Sequence, residues 1–190
     1  MARLSIERAP DVTHPGIFLR SVAAWGALAG LMLLAEGPGL LASRWTPGTV
    51  ALVHVFTLGV LGNALLGSLL QFLPAAAGVR LQVGAWWAHG LHATFNLGAA
   101  ALVAGFWWTS PGLRAAGAIG LVLAFFELAA VALPGVLAKA RGSLLHVGIG
   151  LSLVAALATA AMGGLLVAAL AGAVELPILR WADLHAATGV

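Results

Sequence analysis

Residues 50–73 read VALVHVFTLGVLGNALLGSLLQFL and contain no Asp, Glu, Lys or Arg. An α-helix rises about 1.5 Å per residue, so about 20 mostly apolar residues cross a hydrocarbon core that is about 30 Å thick. This stretch exceeds that length, and Pro74 follows it directly. The sequence therefore predicts a transmembrane helix here, and this helix decides the fold class.

The rest of the chain has the same character. Its residues are 62% hydrophobic and only 8% charged, and the mean hydropathy is +1.05. A soluble domain carries about 25% charged residues, so a soluble globular protein is excluded and a lipid bilayer is the expected partner. The pI of about 11.2 reflects nine basic against six acidic residues. This small excess is not typical of a nucleic-acid-binding surface, and we expect no nucleic-acid partner.

The apolar runs predict an all-α fold, a polytopic transmembrane helical bundle with five full spans plus the start of a sixth. The predicted spans are 17–35, 50–73, 84–108, 113–137 and 144–174, and residues 184–190 begin the sixth. Residues 1–16 form a polar cytoplasmic tail, and residues 17–190 form the transmembrane domain. Because seven residues cannot cross a bilayer, we expect the chain to be the N-terminal half of a longer protein.

Basic residues predict the orientation, since loops on the cytoplasmic side are enriched in Lys and Arg. The side that holds the N-terminus has six of them and the opposite side has three: Arg3, Arg8, Arg20, Arg80, Lys139 and Arg141 against Arg44, Arg114 and Arg180. The prediction is a multi-pass protein of the inner membrane with a cytoplasmic N-terminus.

Cysteine is absent from the chain, which excludes disulfides, zinc-thiolate sites and iron–sulfur ligation by this chain. Histidines are therefore the main candidate ligands. An ionisable residue at membrane depth costs about 2.5–3.5 kcal/mol, so it normally faces a partner or a cavity. With the predicted topology, His89, His92 and His146 lie in the cytoplasmic half and are candidate metal ligands. His54 and His185 lie in the outer half, so the sequence predicts two layers of histidine.

The third predicted helix carries a polar stripe. His89, His92 and Asn96 fall within about 60° of arc at helical periodicity, and we expect all three to point into the bundle. Each histidine is a candidate metal ligand, but hydrogen bonding between helices is the alternative at every such position.

The second predicted helix has two different faces. Gly59, Asn63 and Gly67 follow one another at a spacing of four, which lets a neighbouring backbone approach closely. His54 lies on the opposite, apolar side, where there is room for a bulky group. Axial imidazole ligation in an apolar pocket is how proteins hold haem iron, so this side is a candidate porphyrin site.

Residues 54–78, HVFTLGVLGNALLGSLLQFLPAAAG, resemble the second helix of the NnrS family. They are more distantly similar to nitric oxide reductase and other haem-copper oxidase catalytic subunits. The resemblance implies that His54 is an axial ligand of a b-type haem, and it links the chain to nitric oxide, denitrification or respiratory electron transfer. The sequence has no His-His pair and no tyrosine, so the oxidase copper centre is not carried over, and copper binding stays open.

Three functions follow from these observations. The first is a haem-binding membrane protein of the haem-copper oxidase superfamily type, similar to NnrS. The second is a transmembrane b-type cytochrome that carries electrons from quinol, with one haem held by His54 and His185 and another by His146 with His89 or His92. The third is a non-redox transporter or assembly protein. Enzymatic activity is left open, and other membrane subunits or a second copy of the chain are candidate partners.

Overall fold

The computed structural model describes residues 11–81, 83–84 and 86–189. In these ranges the chain forms six helices and no strand, which confirms the predicted all-α fold. The helices are α1 (Thr13–Glu36), α2 (Pro47–Ala75), α3 (Trp87–Trp107), α4 (Pro111–Leu137), α5 (Leu144–Leu170) and α6 (Ile178–Thr188). Residues 1–10 of the predicted tail and Val190 lie outside the described residues, whereas residues 13–16 already belong to α1.

Four helices of the described chain are long and apolar enough to cross a membrane, where the sequence predicts five. They are α1 together with the short 3₁₀ segment after it, α2, α4 and α5. Helix α3 has 21 residues and carries His89, His92 and Asn96, and it is not among these four helices. Length alone therefore overestimates the number of apolar spans.

The predicted start of a sixth span at residue 184 is wrong. Helix α6 begins at Ile178, directly after Pro177, and has 11 residues, which correspond to about 16 Å. A proline suits the start of a helix because its φ is already fixed near the helical value. The charged residues Arg180 and Asp183 consequently lie within the helix, although the sequence pattern is typical of a loop there.

Helix α2 is continuous but not uniform. A π-helical segment, Val55–Gly62, separates the α-helical segments Pro47–His54 and Asn63–Ala75. The backbone N–H of Asn63 accordingly reaches the carbonyl of Leu58, five residues earlier. Such wide turns are rare and frequently occur at functional sites. Here the wide turn starts at the residue after His54.

The packing face of α2 is the predicted one. A Cβ atom at Gly59 would overlap the Trp25 ring of α1, and one at Gly67 would lie 3.0 Å from the carbonyl oxygen of Pro15. Asn63, between them, is fully buried. On the other side of α2, Leu61 and Leu65 are 56% and 69% exposed. One side of α2 thus joins the bundle and the side with Leu61 and Leu65 stays largely uncovered, whereas His54, which precedes the π-helical segment, is half-buried.

The remaining helices pack in chain order. Helices α3 and α4 form the closest pair, and a Cβ atom at Gly98 would lie 3.0 Å from the backbone nitrogen of Leu121. Helix α5 packs on α4, and α6 packs along α5. The side chains of α6 nevertheless reach back to the beginning of α2, where they form the site described next.

A candidate histidine pair between α2 and α6

Two histidines from distant parts of the chain meet at the end of the bundle where α2 begins. The ring centroids of His54 on α2 and His185 on α6 are 6.4 Å apart, and the ring planes are inclined by 22°. An imidazole nitrogen lies about 2 Å from a metal ion that it binds, so two rings at this separation are close enough to bind one ion between them. We call these two residues the histidine pair.

Both rings of the histidine pair use one nitrogen in the same way. Nδ1 of His54 lies 2.8 Å from the carbonyl oxygen of Val50, and Nδ1 of His185 lies 3.0 Å from that of Thr159. Because a carbonyl oxygen only accepts hydrogen bonds, each Nδ1 carries the proton and donates it. In the neutral ring Nε2 then keeps its lone pair. A carbonyl partner of this kind fixes the tautomer and the orientation of a metal-binding histidine.

The local backbone explains how each ring is held. Val50 lies one helical turn before His54, at the point where α2 is still α-helical. The ring of His185 lies over Gly163 of α5, where a Cβ atom would be only 3.1 Å from its Cε1 atom. Phe106 of α3 stacks beside His54, with ring centroids 5.6 Å apart and planes 16° apart. The pair therefore lies in mainly apolar surroundings.

An ion pair connects α6 to the loop between α1 and α2. Nη1 of Arg44 lies 2.9 Å from Oδ1 of Asp183, and the Arg44 guanidinium lies 4.3 Å from the Trp45 ring centroid. Both charged side chains are more than half exposed. Since Asp183 and His185 lie on the same short helix, the ion pair helps to hold His185 near His54. From the sequence, Arg44 is only a charged residue in a loop, and nothing in the sequence indicates its contact with Asp183.

His146 makes two hydrogen bonds through its ring. Nε2 lies 2.9 Å from the carbonyl oxygen of Ala77 and therefore donates, and Nδ1 accepts from the Ser143 hydroxyl at 2.7 Å. In this arrangement neither ring nitrogen is open to a metal ion. The ring instead connects the start of α5 to the segment after α2.

The two histidines of the predicted stripe on α3 lie in different environments. Nε2 of His92 lies 2.8 Å from the Ser21 hydroxyl of α1, and its ring packs edge-on against Phe18. His89, two residues after the start of α3, is exposed and its ring lies beside that of His14. The two histidines therefore do not converge on one point, although the sequence placed them on one face. Position near a helix end explains the exposure of His89.

The third member of the stripe belongs to a cluster that the sequence did not predict. Asn96 and Asn63 exchange two amide hydrogen bonds of 3.0 Å, and the indole N–H of Trp25 donates to Oδ1 of Asn96 at 2.8 Å. The amide groups also donate to the carbonyls of Gly59 and His92. We call Trp25, Asn63 and Asn96 the amide cluster. The sequence does show two asparagines at mid-helix positions, but whether their side chains pair depends on how the helices pack.

Within the described ranges, no three His, Cys, Asp or Glu side chains come together as a group that could hold a metal ion. Comparison of the chain with protein-family models, with curated proteins and with solved structures gives no match in any of the three. The resemblance of residues 54–78 to NnrS thus stays a prediction, and the function proposed below depends on the geometry of the histidine pair.

Proposed function

We propose that this protein is a haem-binding membrane protein in which His54 and His185 are the two axial ligands of one haem, and that it takes part in electron transfer. The observation that carries the proposal is the histidine pair itself. Its two rings approach each other from α2 and α6, and each donates Nδ1–H to a backbone carbonyl. Each ring thereby presents a fixed Nε2 lone pair.

The residues present suit a haem better than a bare metal ion. Zinc in proteins normally takes four ligands, or three plus water, whereas this pair offers two imidazoles in mainly apolar surroundings, where water is less available to complete the coordination than at an exposed site. A porphyrin brings its own equatorial nitrogens and needs only axial ligands from the protein. The uncovered side of α2, with Leu61 and Leu65 exposed, offers apolar surface for a flat apolar group.

The chemistry favours electron transfer over gas binding. Haem iron supplies one-electron redox chemistry when it is bound. If His54 and His185 take both axial positions, the chain leaves no position for a gas ligand as long as both rings stay in place. The second haem of the b-type cytochrome hypothesis lacks comparable support, because both ring nitrogens of His146 are already hydrogen-bonded.

The remaining parts of the proposal come from the sequence. The resemblance of residues 54–78 to NnrS points to the same ligand, His54, and it is the basis for a link to nitric oxide metabolism. The division of the basic residues supports an inner-membrane protein with a cytoplasmic N-terminus. An electron donor in or beside the membrane is the partner that this function requires.

The test is the haem content of the purified protein after expression in haem-replete cells. We expect one b-type haem per chain in the wild type, and loss of the haem in both His54→Leu and His185→Leu. The exposed residue His89 provides a matched control, since His89→Leu removes a histidine away from the pair and should keep the haem. A wild type without a Soret band, or equal haem content in all variants, would contradict the proposal.

A further inference from the structure

A second pair of histidines lies at the opposite end of the bundle. His14 is the second residue of α1, and His89 lies in the first turn of α3. Their ring centroids are 5.9 Å apart and the ring planes are nearly perpendicular, at 89°. Helices α1 and α3 run in the same direction, since Ser21 and Trp25 meet His92 and Asn96 further along. Their first turns are therefore neighbours.

The two rings differ from the other described histidines in their contacts. In the described part of the chain, the hydrogen bonds of histidine rings belong to His54, His92, His146 and His185. The rings of His14 and His89 contact each other, and Trp86 lies beside His89 with ring centroids 5.7 Å apart. His89 is exposed, so a solute reaches its ring from the surrounding water.

We propose that His14 and His89 together bind a divalent transition-metal ion of the Zn²⁺, Ni²⁺ or Cu²⁺ class, with water completing the coordination. Imidazole is a preferred ligand of these three metals. A metal–nitrogen distance of about 2 Å on each side is compatible with rings at this separation. The sequence pattern pairs His89 with His92 as candidate ligands, but Nε2 of His92 is occupied by Ser21. The structure offers His14 as the partner.

A nearby carboxylate adds a favourable charge. Asp11 accepts hydrogen bonds from the backbone N–H and the hydroxyl of Thr13, at 2.9 and 2.8 Å. These bonds, together with the proximity of His14, hold the pKa of the Asp11 carboxyl below its ordinary value. The carboxyl is therefore negatively charged at neutral pH, at the end of the bundle where the cation would bind.

A metal ion at this position would connect α1 to α3 and stabilise the folded state, because it binds a site that the unfolded chain lacks. The site is separate from the histidine pair and does not depend on the haem proposal. Its two ligands come from different helices. A variant that keeps only one of the two histidines should therefore bind the metal ion at least tenfold more weakly than the wild type.

The first test is thermal unfolding of the purified full chain in detergent, with and without Ni²⁺ or Zn²⁺. We expect the metal to raise the unfolding temperature of the wild type and to leave His14→Ala and His89→Ala unchanged. The variant His92→Gln is the matched control and should keep the wild-type response. An absent response in the wild type, or a full response in either alanine variant, would overturn the proposal.

The second test locates the metal. Cu²⁺ quenches nearby tryptophan fluorescence, and Trp86 lies next to His89. We expect quenching in the wild type to be reduced in Trp86→Phe, and to persist in the double variant His54→Leu/His185→Leu. Quenching that disappears in the double variant would assign the metal to the histidine pair and overturn the proposal.

Discussion

The amide cluster and the histidine pair are both polar groups inside an apolar bundle, but they differ in how completely their atoms are bonded. In the amide cluster, Asn63 and Asn96 satisfy each other and nearby carbonyls, and the Trp25 indole N–H is also bonded. In the histidine pair, the hydrogen bond that each ring makes to the described part of the chain goes through Nδ1. A closed set of hydrogen bonds holds helices together, whereas a ring with a spare Nε2 can bind a ligand.

This comparison also separates the histidines from one another. His146 resembles the amide cluster, since both of its ring nitrogens are hydrogen-bonded. In His54 and His185, by contrast, Nδ1 is hydrogen-bonded within the described part of the chain and Nε2 keeps its lone pair. All three residues are histidines, so the residue type alone does not separate His146 from the histidine pair. The number of hydrogen-bonded ring nitrogens separates them. We therefore expect changes in the amide cluster to alter stability, and changes around the histidine pair to alter haem binding.

The largest effect on stability is expected for Asn63→Leu. Asn63 is fully buried, and its loss leaves the amide of Asn96 without two of its partners. An unsatisfied buried polar group costs about 1–3 kcal/mol, and each kcal/mol lowers the unfolding temperature of a chain of this size by about 2–4 °C. The measurements are the thermal unfolding midpoint in detergent and the haem content of the protein that remains folded.

The double variant Asn63→Leu/Asn96→Leu provides the control for this prediction. Replacing both members of a hydrogen-bonded pair costs less than the single changes suggest, so the two effects should not add. Haem content per folded chain should stay unchanged in both variants. An unaltered unfolding temperature, or loss of haem from a folded Asn63→Leu protein, would break the proposed distinction between the two regions.

An intermediate effect, on haem binding alone, is expected for Gly163→Ala. The new Cβ atom would lie 3.1 Å from Cε1 of His185, so the ring must move away from its present position. We expect about tenfold weaker haem binding or an altered haem spectrum, with little change in the unfolding temperature of the haem-free protein. Haem titration and the absorption spectrum measure this effect.

Gly164 is the matched control, because a Cβ atom there would make only an ordinary contact, 3.7 Å from Val122. Gly164→Ala should therefore keep the wild-type spectrum and affinity. Equal behaviour of the two glycine variants would show that the position of the His185 ring does not matter for haem.

The smallest effect is expected for Arg44→Gln. Its ion pair with Asp183 is largely exposed, and such pairs contribute about 0.2–1 kcal/mol and weaken as salt screens them. Haem affinity of the wild type should fall slightly at high salt, and the Arg44→Gln variant should show the reduced affinity at every salt concentration. Haem titration at two ionic strengths measures this.

Arg180 lies on the same helix as Asp183. Its substitution is the matched control, because it removes one positive charge but keeps the Arg44–Asp183 ion pair. Arg180→Gln should leave both the affinity and its salt dependence unchanged. If both arginine variants behave alike, the Arg44–Asp183 ion pair does not position α6.

Local periodicity explains why part of the architecture could be predicted. Helix faces follow from 100° per residue, so the sequence alone indicates the glycine side of α2. Hydropathy likewise predicts the apolar helices. The π-helical segment after His54 has no comparable signal, because it changes which side chains share a face without changing composition.

The contacts between helices could be predicted only in part. The topology placed His54 and His185 in one layer, but their approach depends on α6 starting at Ile178 and folding back over α5. The pairing of His89 with His14 depends on the parallel packing of α1 and α3. Such neighbours are decided by tertiary packing, which a single sequence does not display.

The most direct test of the central claim is the low-temperature electron paramagnetic resonance spectrum of the oxidised, haem-loaded protein. If His54 and His185 both bind the iron, the spectrum is that of low-spin ferric haem with two imidazole ligands, and this signal is lost together with the haem in both His54→Leu and His185→Leu. A high-spin spectrum in the wild type, or a low-spin spectrum that persists in both His54→Leu and His185→Leu, would contradict the assignment of the histidine pair as the axial ligands.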